Sequence, residues 1–600
     1  MSAQQATGKR DTAFCPAVRV SRWRGWAMWV CVVVLVLSLA GCISSSREVD
    51  DGSSTSSYQE ALVREDAAQR SDEAGTDPSE PLGLLRPVSP APGDTAGLDI
   101  VTDPNTGRRI ARLTVEQAIF RTLAHSPEVR VVSFDPAIAK QELAQAKADF
   151  DPAVFGRLNY EDEDNPENSI FTAGQSETTL FESGVKQRIP SGAEWSASYA
   201  LTRTWDNLVG RTLPTRYEPV LVFRLMQPLL RNAGRETNLA GVNIAQLNHR
   251  IALLGFRKKA EQVSTDVVRA YWRLLQARRD LDIQRRLVER TEVTVSKVEG
   301  RRGIDATGVH VHQATSYARS RQAALLELEK RVRDAQDVLL RFMSDSEVHL
   351  ASEVELVPVT APGASAEDVP RPITERQALT LAMAHNPVVQ QAKASVEVAE
   401  INIRVAQHQK MPRLDLVGSA STQALARDLD DANGDLGGDY ASYAAGLVFE
   451  FPLGNRERRA ELMKRRLERR KATAVLHNIA DQAAVQTKER LRKVETNLAE
   501  IQLQREVVEE SRVFLEALGE SEAVRERLTA EFLLVKLQAQ ETLAQAERAE
   551  NSAVTQFNIA LAELAQATGT VFDLNRIEAS LSALSSMAVD AAPDGEDVGQ

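Results

Sequence analysis

The residues able to do chemistry are few, and the reactive ones crowd one end of the chain. Cys15, Cys31 and Cys42 are the only cysteines, so beyond position 42 neither a disulfide framework nor a Cys-ligated zinc site is possible. His310 and His312 are two residues apart, which sets them on different faces of a helix. They read as surface or seam histidines, and no metal or cofactor is expected. His125 and His385 each precede a Ser-Pro or Asn-Pro step and read as partners for helix-end carbonyls. The Arg-rich run 456–470 alternates with acids at helical spacing, the mark of a solvated helix face. With no phosphate-cradling glycine loop and no nucleophile motif, no catalytic residue is assigned and the chain does not read as an enzyme. A net charge of -12 and a pI near 5.5 give no field that would draw in nucleic acid.

Arg19, Arg22 and Arg24 precede an apolar run from Trp26 to Ala40 that is short for a membrane span. Residues 1–41 therefore read as a removable export leader. Its end, Leu39-Ala40-Gly41-Cys42, resembles the bacterial lipoprotein cleavage box, which implies that Cys42 becomes the acylated first residue of the mature chain. Ile43 and Ser44 follow, and the lack of Asp after the cysteine implies the outer membrane. Each buried methylene of such an anchor contributes about 0.8 kcal/mol. Residues 42–106 are rich in Ser, Asp, Gly, Pro and Thr and hold too few large apolar residues to repay the entropy of ordering. They read as a disordered tether, and 571–600 as a flexible tail.

Between these ends the composition is that of long helices. Aromatic residues make up 5% and charged residues 26%, with Ala, Leu, Gln, Glu and Arg prominent. The central pattern is an internal repeat. Thr114-Val-Glu-Gln-Ala-Ile-Phe-Arg-Thr-Leu-Ala-His-Ser-Pro-Glu-Val129 aligns with Thr374-Glu-Arg-Gln-Ala-Leu-Thr-Leu-Ala-Met-Ala-His-Asn-Pro-Val-Val389. Each copy opens on a Thr cap and breaks at an Ala-His-x-Pro step. The first repeat is assigned to 107–345 and the second to 373–570, with 346–372, carrying Pro358, Pro362 and Pro370, as the linker. Phe256, Ala260, Val263, Val267, Ala270, Leu274, Ala277 and Leu281 alternate steps of four and three, the seam of a coiled coil. A helix from Gly234 to about Gly300 would run roughly 100 Å. Leu491, Val494, Leu498 and Ile501 repeat the spacing, and Phe532, Val535, Ala539, Ala546, Ala549, Ala553 and Ala560 form the seam of a returning helix. The hairpins are read at 234–343 and 454–568.

Ahead of each hairpin lie segments of period two. Trp195, Ala197, Tyr199, Leu201 and Trp205 share one face, interrupted by Arg203, opposite Ser196, Ser198, Thr202 and Thr204. Tyr217, Leu221, Phe223 and Leu225 repeat this opposite Glu218 and Arg224, as do Tyr443, Leu447, Phe449 and Phe451 opposite Ser442 and Glu450. Strands are expected at about 152–161, 179–189, 193–205 and 217–227, then 413–422 and 440–451. A tight turn at Pro190–Ala193 contrasts with long polar links at 161–178, 206–216 and 422–439, as in outer-membrane barrels. A soluble sheet with one wet face remains the alternative on the strands alone. Six strands cannot close a barrel, and an open edge in lipid costs several kcal/mol for each unpaired group. Other copies of the chain must complete it.

These features together resemble the TolC-like outer-membrane efflux family over about residues 110–570. The carriers are the paired Thr-x-x-Gln-Ala…Ala-His-x-Pro openings, the joints Gln227-Pro228-Leu229 and Phe451-Pro452-Leu453, and the closing run from Leu537 to Thr570. The resemblance implies a mainly α fold with a transmembrane β part. It implies a homotrimer: a β-barrel in the outer membrane of a Gram-negative-type bacterium, continued by a twelve-helix periplasmic tunnel. The implied partners are outer-membrane lipid, a periplasmic adaptor protein and an inner-membrane pump that supplies the energy, the channel itself being a passive exit duct for efflux or type I secretion. The implied tunnel tip, where adaptor and pump make contact, holds Gly303, Ile304, Thr529 and Phe532. Two departures stand out. The first copy carries four strands where family members supply two, so a trimer has 18 strands if all six cross the membrane, or 12 if the pair at 179–205 sits above it. Beyond the second tip, where family members often place acidic residues, the chain reads Val535-Lys536-Leu537-Gln538. A lipid-anchored periplasmic coiled-coil scaffold that never crosses the outer membrane is the alternative reading.

Overall fold

The computed structural model describes residues 99–102, 109–166, 173–208, 210–304, 306–344, 354–363, 374–437, 440–524 and 529–574. The leader, Cys42 and most of the 42–106 segment lie outside them, as do 575–600.

Strands β1 (Asp99–Thr102), β2 (Arg109–Leu113) and, far along the chain, β7 (Val354–Pro358) form a small sheet in the order β1-β2-β7, with β2 and β7 parallel. Two expectations change here. The tether reading extended to 106, yet Asp99–Thr102 pairs with Arg109–Arg112; and the linker at 346–372 contains a strand. The reason is local alternation: Val354, Leu356 and Pro358 all turn inward, as Ala111 and Leu113 do on the partner strand. The core beneath them gathers Ile119, Val267, Tyr271, Leu274, Leu339, Met343 and Ile559. The Tyr271 hydroxyl donates to the Leu113 carbonyl at 3.0 Å and accepts from the Thr360 amide at 2.9 Å, so this buried phenol has both partners it needs.

Helix α1 (Val115–His125) begins at a capping box: the Thr114 hydroxyl accepts from Gln117 N, and the Gln117 side chain accepts from Thr114 N. Helix α2 (Pro127–Ala148) follows after the proline break. The large sheet then takes β3 (Ala153–Asp164), β4 (Gln175–Arg188), β5 (Glu194–Asp206) and β6 (Thr215–Pro228). Past a short turn, α3 (Arg235–Asn238), come α4 (Ala240–Gly300) and its return α5 (Gly308–Met343). The second copy runs the same course with fewer strands. Its elements are α6 (Glu375–His385), capped by Thr374 and Gln377, then α7 (Pro387–Gln409), β8 (Arg413–Gln423), a loop helix α8 (Leu429–Gly434) and β9 (Ala441–Glu450). It ends with α9 (Arg456–Val524), α10 (Ala530–Thr568) and the short α11 (Val571–Leu574). Val571 and Phe572 are buried, so the residues read as the start of a loose tail are packed ones.

At 61 and 69 residues, α4 and α9 extend about 90 Å and 100 Å. The seam read on α4 is buried from Phe256 to Leu274 and at Leu281. On α10 the reading needs correction: Phe532, Ala539, Ala546, Ala553 and Ala560 are buried, but Val535 is 41% exposed and Ala549, two heptads on from it, is only partly buried, so these two lie on a different stripe. The helix ends on Gly569, whose φ of +74° is the left-handed cap conformation. A Cβ there would sit 2.5 Å from the His385 carbonyl oxygen, so the close packing of α10 onto the second proline break requires glycine.

Candidate functional site

The six-stranded sheet runs β3-β4-β5-β6-β8-β9 with every neighbouring pair antiparallel. Register carries side-chain alternation across the whole width. Val154, Val185, Ala197, Phe223, Ala420 and Tyr443 are successive partners and so share one face. Leu158, Phe181 and Leu201 form a parallel row on it, as do Leu416 and Leu447, and Leu414 and Phe449. Apart from its loop end, where Arg203 and Glu177 pair at 3.9 Å, this face is apolar and bare: Val154 is 79% exposed, Leu158 74%, Tyr443 69% and Phe449 67%. Trp195 and Phe223 stack on it at 6.4 Å, diagonal neighbours across β5 and β6. The opposite face holds Arg157, Glu182, Lys186, Glu218 and Arg224, together with Ser196, Ser198 and Thr202. An apolar patch of this extent left uncovered in a folded chain marks a surface that meets something other than water.

The two ends of the sheet differ. At the end that feeds the helices, β4 and β5 are joined by a five-residue turn in which Gly192 has a φ of +93°. At the other end are the connections 165–174, 207–214 and 424–440. There Asp206 is nearly buried and takes Arg216 at 2.5 Å and Arg211 at 3.2 Å. The third connection holds α8, which the sequence reading had as plain loop; its Asn433 accepts from the Tyr199 hydroxyl at 2.7 Å. The pair at 179–205, whose place the sequence left open, lies inside the sheet: β4 and β5 are paired along nearly their whole length to β3 on one side and β6 on the other. Among the described residues, β3 and β9 are the two edge strands of this sheet, and all ten residues of β9 are exposed.

At the far end of the helices the two hairpin tips pack together. Gly303, with a φ of +87°, makes the turn between α4 and α5, and Ile304 beside it is 83% exposed. Thr529 caps α10, its hydroxyl accepting from Phe532 N at 3.3 Å. Phe532 itself is only 6% exposed and is held among Val298, Ala306, Ala314 and Leu537. Of the four tip residues read from the sequence, it therefore joins the two tips and offers little surface of its own. His310 closes a capping contact with Thr307 N at 3.4 Å, and His312 is exposed. His125 Nδ1 bonds the Arg121 carbonyl of its own helix at 3.1 Å, while at the second break it is Asn386, next to His385, that donates to a helix-end carbonyl, that of Ala567 at the end of α10, at 2.9 Å. Among the described residues no group of His, Cys, Asp or Glu is arranged to hold a metal, and no helix is long and apolar enough to cross a membrane.

Two polar clusters that the sequence did not single out lock the helices. Arg321 of α5 is buried; it donates to the Leu537 carbonyl at 2.6 Å, to Gln540 at 3.1 Å and to Thr291, and pairs with Glu541 at 3.3 Å. Burial lowers its pKa from the usual arginine value, against the pull of Glu541. Glu563 of α10 is met by Arg490 at 2.6 Å, Lys493 at 3.0 Å and Arg269 at 3.1 Å. Burial would raise its pKa, but the hydrogen bonds from Lys493 and Arg269 and the nearby charges outweigh it and hold the carboxyl below its ordinary value. Neither cluster was legible, because each joins residues more than 200 positions apart.

Residues 378–570 match the family described as outer membrane efflux protein. No curated protein matches the sequence. Among solved structures, the chain is similar to the outer membrane protein VceC of Vibrio cholerae, with 17% identity, 76% of this chain and 96% of that one covered, and a TM-score of 0.52. It is similar too to the CmeC outer membrane channel of Campylobacter jejuni, at 12% identity, 80% and 90% coverage and a TM-score of 0.54. For the MtrE outer membrane channel of Neisseria gonorrhoeae the values are 15%, 78% and 91%, and 0.51. The TolC-like resemblance thus stands on a sequence match within the second copy and on a shared fold across both.

Proposed function

We propose, taking the efflux-protein match and the shared channel fold as premise, that this chain is the outer-membrane channel of an efflux or type I secretion assembly, a passive duct. The observation that carries the reading is the six-stranded sheet, apolar on one face and charged on the other, joined at one end to helices about 100 Å long. Lipid meets the apolar face and water the polar one. The sheet is completed by further copies, β9 of one subunit pairing with β3 of the next, since backbone groups left open in lipid would cost several kcal/mol each. The helices support the same two edges. On α2, Val131, Phe134 and Ile138 form an exposed apolar stripe, and on α9 Met463 and Leu467 are each 56% exposed. Three copies give an 18-stranded barrel over a twelve-helix tunnel.

Residues 1–41 act as the leader, acylated Cys42 anchors the chain to the outer membrane, and 107–345 and 373–570 are the two repeats. Gly303, Ile304 and Thr529 present the tip to a periplasmic adaptor and, through it, an inner-membrane pump. The test is a single cysteine at Arg211, in the connection between β5 and β6, exposed on intact cells to a thiol reagent that does not cross membranes. Labelling is expected; protection there and in the other two long connections would leave the periplasmic scaffold instead.

A further inference from the structure

Along most of its length α10 has one side that no described residue covers. Gln540 bonds Arg321 of α5 and Thr294 of α4, Asn551 bonds Asp280 of α4, and Asn558 bonds the Gly363 carbonyl beyond β7. Gln540 and Asn558 are separated by five full turns at 3.6 residues per turn, so they point the same way. The rest of the subunit therefore packs on that side and on the two flanks. About half a turn round, Val535, Gln538, Thr542, Gln545 and Gln556 are all exposed, and Ser552 is partly so.

Between Val535 and Gln556 the charges of α10 avoid this stripe, and Glu563, five turns beyond Gln545 on the same side, is covered by its three cations. Lys536 is turned in against Glu522, Glu541 and Arg548 pair with each other at 3.2 Å, Glu547 reaches Arg286 at 3.2 Å, and Glu550 reaches Arg505 at 3.3 Å. In a chain with 26% charged residues, the uncovered stripe carries none from Val535 to Gln556; Glu531, at the open end of the helix, is its one charged member.

We infer that this stripe is the face α10 turns to the lumen of the duct, an uncharged surface mainly of amides and hydroxyls, and that the passage along it therefore does not sort its cargo by charge. The inference rests on the duct reading. Fixed charges in a narrow, low-dielectric passage concentrate counter-ions, and a neutral wall removes that focusing. Uncharged, zwitterionic or anionic amphipathic molecules would pass as readily as cations, so discrimination falls to whatever loads the duct.

The test is the reversal potential of the purified full-length protein in a planar bilayer under a KCl gradient. The wild type is expected to show a K+ to Cl− permeability ratio within about threefold of unity, and Gln538→Asp and Thr542→Glu, both on exposed positions, should raise it at least about fivefold. A wild-type ratio above about tenfold that Glu531→Gln leaves intact would overturn the neutral wall, as would a conducting pore whose ratio neither acidic variant moves. A wild type that passes no current at all overturns the duct itself, which is a different result.

Discussion

Glu261 shows how a single side chain is held in the long seam. It lies on α4, 2% exposed, with Arg257 at 2.8 Å, and Arg257 in turn donates to the Gly569 carbonyl at the end of α10. Burial pushes the Glu261 carboxyl up to about 7, against the Arg257 hydrogen bond. A carboxyl whose folded pKa lies above its unfolded value of 4.5 favours folding in its protonated form. That contribution is complete below pH 4.5 and is lost as pH rises to about 7. Glu261→Gln, neutral throughout, should therefore stabilise the detergent-solubilised protein at pH 8 by roughly 1–3 kcal/mol relative to its effect at pH 4. Melting curves at the two pH values check this, and an equal effect at both would exclude titration as the cause. His125 and the Thr114 and Thr374 caps were legible from type and position, because each acts within one turn of its own helix. Arg257 was not, since its partner is 312 residues away.

At the scale of elements, the helices owe their pairing to seams that sequence periodicity reveals and their rotation to polar contacts that it does not. Arg321 fixes α5 against both α4 and α10, bonding Thr291 on one and Gln540 on the other. Removing it takes the side-chain donor from the Leu537 carbonyl, leaves the buried Gln540 oxygen unpaired and leaves Glu541 ion-paired with Arg548 alone. Arg321→Ala should cost about 2–4 kcal/mol locally. Amide exchange in α5 and α10 near the tips would then speed up while the strands β4 and β5 keep their protection; a uniform loss across the molecule would mean Arg321 acts through global folding. The strands were read to within a few residues, because alternation in sequence is alternation of face. The errors fell where alternation was short, in β1 and β7, or where a helix of six residues hid within a polar loop, as in α8.

For the molecule as a whole, the second copy sets the frame and the first departs from it. Counting 260 positions back from Arg413, where β8 begins, reaches Ala153, where β3 begins. The additional strands are therefore β4 and β5, and they form one hairpin. Because β3 and β6 run antiparallel to each other, removing that hairpin preserves the direction of every remaining strand. A chain in which a short turn replaces residues 173–208 is expected still to assemble and conduct, with a barrel narrower by about a third, since diameter scales with strand number. Exclusion of polyethylene glycols applied from the outer side measures this, and an unchanged size limit would place β4 and β5 outside the barrel.

The sequence alone carried the long helices and the six strands of the large sheet, the recurrence of the Thr-capped opening, which strand face is apolar, and that six strands are too few to close a barrel. Those properties follow from period, caps and composition, each a local quantity. Tertiary structure decided the rest: that the β4–β5 hairpin lies within the sheet, that Phe532 turns inward to join the tips, and which side of α10 is left bare. These depend on strand register and on the rotation of long helices, and rotation is set by contacts such as Arg321 with Gln540, between residues 219 positions apart.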